Sequence, residues 1–284
     1  MCWSGEASTV LALAGFTGAA LEVRKGLQKD LKTGQTWLQQ EGFLNKNAMR
    51  GTTLFYFSLM EMLQAWNYIY LDTPGPMNSL GAFLGFIHIS FQPIPTLWFF
   101  YSYLPMQRRR YWFAKGTLVA LAACVLFLLK GMINPSLPGC MAVQCTAGNS
   151  LEDVFLAKGF IYSDAILGCS TTGVFRSFPG DWHIAWEWAV NACGPILSTG
   201  YIIVAVGLPL LAGCFRVVLY TVLMGPVLAY FLTGNQYEWA AVWCLLSIAF
   251  LTVAKLPVLQ RLLSVRHENW GETQAWLREI VTQR

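Results

Sequence analysis

Ionisable side chains stand inside apolar stretches of this sequence at Glu6, Glu61, His88 and Glu187, with His183 at the edge of the stretch that holds Glu187. Charge is expensive in hydrocarbon, so such residues mark functional positions by default. Imidazole and carboxylate together are ligands for a zinc-like divalent metal. They also exchange protons near neutral pH. Spacing sorts them further. In "SLMEMLQ", Ser58, Glu61 and Gln64 are three apart and share a helical face. In "HISFQPIP", His88 and Gln92 are four apart and share another, just before Pro93 and Pro95. In "DWHIAWEWAVN", His183, Glu187 and Asn191 recur every four residues, with Asp181 placed as the N-cap of the helix that would carry them.

The elements that position these groups follow from composition. Of 284 residues, 55% are hydrophobic and 12% charged, about half the charge of a soluble domain. Apolar runs approach the length of about 20 residues that a helix needs to cross a bilayer. The reading is all-α: a polytopic integral membrane protein forming a seven-helix bundle over 1–258, with spans at about 3–21, 52–71, 79–104, 111–132, 181–212, 214–233 and 237–256. An outer loop covers 132–180. In the tail, 259–284, Trp276, Leu277, Ile280 and Val281 share the apolar face of a helix expected along the inner membrane surface.

Basic residues alternate between loops. Arg24, Lys25, Lys29 and Lys32 follow the first span, Arg108, Arg109 and Arg110 the third, and Arg261 and Arg266 the last. The positive-inside rule then predicts the N-terminus outside and the C-terminus in the cytoplasm. Under that topology Cys2, Cys140, Cys145 and Cys169 face outward, where disulfides among them are one expectation and buried unpaired thiols the other. Nothing in the sequence points to nucleic acid. The lipid bilayer is the expected partner.

Depth links the polar groups. Glu61 lies ten residues below the outer end of its span and His88 nine below the start of the next, about 15 and about 14 Å. A short connection makes these spans antiparallel neighbours, so Glu61 and His88 are expected to touch. Pro93 is expected to free the carbonyl of Ile89 and bend the helix beside them. His183 and Glu187 reach the same place from outside, and Glu6 joins from the first span. The plain structural alternative is that these residues lock helices together.

Two functional readings result. One is a hydrolase of a lipid-like substrate, with a metal on His88, His183 and Glu61, and Glu61, His88 and Glu187 as catalytic groups. Glu6, Gln64, Gln92 and Asn191 would contact substrate. The other is a proton-coupled transporter or small-ligand receptor built on the Glu61/His88 pair. The combination "MCWSGEAS", "MEMLQ", "HISFQP" and "WHIAWEW" resembles an uncharacterised family of polytopic membrane proteins. The resemblance covers most of the chain and brings no known activity. It implies only that Glu6, Glu61, Gln64, His88, Gln92, His183 and Glu187 are the positions to test.

Overall fold

The computed structural model describes residues 4–28, 34–71, 73, 75–133, 175–187, 203–233, 238–253 and 256–264. Asn191, the four outward cysteines, most of the 132–180 loop and the amphipathic tail beyond 264 lie outside the described residues, and of Glu187 the backbone alone is described. The elements are α1 (Gly5–Gly26), the short α2 (Trp37–Glu41), α3 (Lys46–Ile69), α4 (Pro76–Phe91), α5 (Pro93–Tyr101) and α6 (Met106–Ile133). A hairpin follows, β1 (Arg176–Pro179) and β2 (Ile184–Glu187). Then come α7 (Leu208–Leu211), α8 (Phe215–Val222), α9 (Leu228–Leu232), α10 (Trp239–Val253) and α11 (Pro257–Leu263). A π-helical turn, Leu223–Val227, joins α8 to α9 around Pro226, whose missing N–H forbids a regular turn there.

The protein is therefore mostly helical, and four helical segments are long and apolar enough to cross a bilayer: Gly5–Gly26, Pro76–Tyr101, Met106–Leu129 and Phe215–Leu232. The core is mainly apolar, with Met49, Phe86, Leu97 and Phe127 buried. Val10, Leu13, Leu118 and Phe231 are nevertheless more than half exposed, while Ser8, Thr53, Ser58, Glu61, Gln64 and Asn67 are fully buried. Exposed apolar surface of this extent suits hydrocarbon better than water.

Helix α3 is the hub, packed against α1, α4, α5 and α10. The buried residues of α1 run Ser8, Ala12, Gly15, Ala19, Glu22, Gly26, alternating steps of four and three. That small-residue seam lets the two backbones approach closely. At Gly51 of α3 a side chain would press on the Ala19 carbonyl at 3.1 Å.

Two expectations need correction. The all-α reading misses the antiparallel hairpin, in which Arg176 pairs with Glu187 and Pro179 with Ile184. The fifth expected span, 181–212, accordingly does not begin as a helix, and Asp181 is not an N-cap but part of the hairpin turn. Ile184, Ala185 and Trp186 are all buried, because the hairpin is wedged against α4 on one side and α10 on the other. A strand covered on both faces is apolar at consecutive positions, which is the pattern a membrane helix also shows.

Candidate functional site

Between α4 and α5 the chain bends without leaving helical space, Gln92 having φ −54° and ψ −32°. Pro93 removes one backbone donor, but the carbonyl of Ile89 is not the one left over. The Gln92 N–H shortens its bond to Ile89 O at 3.2 Å. That leaves the carbonyl of His88 without its helical donor, and the Tyr56 hydroxyl of α3 donates to it. The His88 ring stacks on the Tyr56 ring, with centroids 3.9 Å apart and planes 28° apart. So His88 does meet α3, through a tyrosine.

Glu61 faces elsewhere. Tyr56 and Glu61 are five residues apart, about 140° around the helix. The Glu61 side points into the seam of α1, α3 and α10. There the Ser8 hydroxyl lies against the carboxyl, and Cys244 of α10 is close enough to feel its charge. Neither carboxyl oxygen of Glu61 has a partner of normal hydrogen-bond geometry. One turn up, Gln64 donates at 3.5 Å to the Ala241 carbonyl, while its own Oε1 is unpartnered. Three buried acceptor atoms on one side of α3, two of Glu61 and one of Gln64, thus lack a hydrogen bond of normal geometry. Glu61 and His88 are not hydrogen bonded to each other.

A polar column leads from this seam to the turn between β1 and β2. Tyr68, two turns above Glu61, is near enough to sense both Glu61 and Glu238. Its hydroxyl lies 3.2 Å from Nδ1 of His183. That same Nδ1 accepts the Ile184 N–H at 2.6 Å, which places the ring proton on Nε2 and keeps the imidazole neutral. In this turn, outside the helices, burial pushes the His183 pKa down to about 3, in line with the tautomer. Beneath the turn sits Glu238. Its carboxylate accepts the backbone N–H groups of Asp181, Trp182 (3.0 Å) and His183 (2.9 Å), a nest of the kind that holds anions. A side chain at Gly180 would collide with that carboxylate and with the His183 carbonyl.

The hairpin is also stitched to the helices. Asn78 of α4 and Ser177 of β1 exchange two bonds, both 2.8 Å, in the manner of paired strands. Ser177 Oγ donates to Asn67 at 3.1 Å.

Of the expected site residues, His183 and Glu61 share this column, joined through Tyr68 and flanked by Gln64. His88 and the buried Gln92 sit around the α3–α4 contact instead. Glu6 lies exposed at the start of α1, taking a 3.3 Å bond from Ser4. It borders an outer groove of about 920 Å³ with Leu63, Tyr68 and Leu84, and it does not join the column. Among the described residues no three His, Cys, Asp or Glu side chains gather to hold a metal. Cys124, Cys214 and Cys244 are buried free thiols. Tyr68 and Glu238 are members of the column that carry no such signal in the sequence, since their partners are about 115 and 55 residues away.

The fold and site together define a helical protein with membrane-length helices and a buried acidic centre. The chain belongs to a family of unknown function, DUF5765, whose profile matches residues 40–264. The matched region contains α3 through α11, and with them Glu61, Tyr68, His183 and Glu238. No curated protein and no solved structure matches the chain.

Proposed function

We propose that this is a multi-pass membrane protein that couples a proton on Glu61 to the binding or passage of a small, donor-rich molecule such as an amine. The observation that carries the reading is the fully buried Glu61 carboxyl, which has the Ser8 hydroxyl against it but no hydrogen bond of normal geometry, beside the unpartnered Oε1 of Gln64. A carboxyl left this way is strongly favoured by either a proton or an N–H donor from a ligand. The His183–Tyr68 contact supports access for protons from the outer turn. We read seven crossings with the N-terminus outside, because Arg24 and Lys25 after α1 and Arg108 to Arg110 after α5 lie at ends of the same side. The metal-dependent hydrolase would need His88, His183 and Glu61 on one ion. His88 is engaged with Tyr56 and His183 with Tyr68, so the carrier reading has more support.

The test is infrared spectroscopy of protein in vesicles across pH, with small amines added. A neutral-acid carbonyl band that responds to pH and amine in wild type, and disappears in Glu61→Gln, is the expected result. Tyr68→Phe should slow the response while leaving the band. A wild-type spectrum with no carboxyl band assignable to Glu61, or one indifferent to both pH and amine, overturns the reading.

A further inference from the structure

On the face of α1 turned toward α10, away from the outer groove, a second groove of about 720 Å³ runs along the helix. That volume falls within the roughly 300–1,000 Å³ of pockets that hold small ligands. Its floor is Ala14 and Gly18, too small to fill the space, and its walls include Leu11, Leu21 and Ile248. From Leu11 to Arg24 the helix rises about 20 Å, room for an acyl chain of one leaflet, about 15 Å long. The groove is apolar along its length and changes character at one end, where Arg24, Lys25 and Gln28 line it.

The charges at that end are unequal in their engagement. Lys25 is tied to Glu22 at 2.9 Å. Arg24 is exposed and forms no ion pair among the described residues. The end therefore presents one uncompensated guanidinium beside a neutral ion pair and an amide. An apolar slot closed by such a group complements a lipid with an anionic headgroup and not a zwitterionic one. It also lies at the basic end of α1, the end that meets the anionic cytoplasmic leaflet in the topology proposed above.

We infer that this α1–α10 groove binds one anionic phospholipid, its acyl chain over Ala14 and Gly18 and its phosphate on Arg24. The site is separate from the Glu61 column and stands whether or not that column carries protons.

Native mass spectrometry of the full chain, released from nanodiscs of equal phosphatidylglycerol and phosphatidylcholine, tests it. Wild type should retain phosphatidylglycerol in preference. Arg24→Gln should lower the preference about fivefold, the effect of one basic residue near an anionic surface. Ala14→Leu, at an exposed position on the groove floor, should reduce retention of the lipid without lowering the melting temperature. Equal retention of the two lipids, or a preference untouched by both substitutions, overturns the inference. So does a cysteine cross-link from position 14 to the chain's own residues 265–284, which would make the tail the occupant.

Discussion

Glu61 and Glu238 are both 0% exposed, yet their surroundings are opposite. Glu238 receives three backbone N–H groups from a turn shaped around it. Glu61 has no partner of normal geometry for either oxygen. The end of the bundle where α5 stops repeats the first pattern with the sign reversed. Arg109, buried, donates to the carbonyls of Leu44 (2.7 Å), Leu104 (2.9 Å), Tyr101 (3.2 Å) and Ser102 (3.3 Å), closing the end of α5. Nearby, Arg50 bonds Ser102 at 2.9 Å and covers the Tyr103 ring. A buried charge that the backbone surrounds is architecture. The Glu61 carboxyl, between three helices, receives no backbone donor; in the function proposed above, a proton or a ligand N–H fills that place.

The contrast can be broken experimentally. Glu238→Ala leaves three N–H groups of the turn without their acceptor, that of His183 buried, and should cost about 3 kcal/mol, a fall of about 10 °C in a detergent melt. Arg109→Met keeps the volume but uncaps α5, and a loss of about 2 kcal/mol is expected, near 5 °C in the same melt. Glu61→Gln should change stability by less than about 0.5 kcal/mol, because the shape is kept and the Ser8 hydroxyl can face the amide oxygen as it faces the carboxyl. If Glu61→Gln instead destabilises as much as Glu238→Ala, the two carboxyls do the same job and the comparison fails.

Some of this was legible in the sequence. The kink after Gln92 follows from Pro93, and the shared face of Ser58, Glu61 and Gln64 from their spacing. Residues 214–233 read as a span and are α8, its π turn and α9. Other features were hidden for identifiable reasons. His183 and Glu187, four apart, lie on one side of either a helix or a strand, so their spacing could not separate the two. Burial on both faces then erased the alternation that marks most strands. The short connection suggested that α3 and α4 are neighbours, and they pack together; the expected contact of Glu61 with His88 does not form as a hydrogen bond, because equal depth says nothing about rotation. Only the packed structure shows Tyr56 on the side that faces His88. Glu238 is recognisable only through a turn far away in the chain.

The tyrosine on the His88 carbonyl has a mechanical meaning. A helix with every rung in place is a stiff rod, and one that has lost a rung at a proline is a joint. Here the lost rung is replaced by a hydroxyl belonging to the neighbouring rod. The stiffness of the joint between α4 and α5 is thus a property of two helices, set by how far α3 stands from the bend. Displacing α3 from the bend would release the hydroxyl and loosen the joint, so that movement of one helix would become compliance in another.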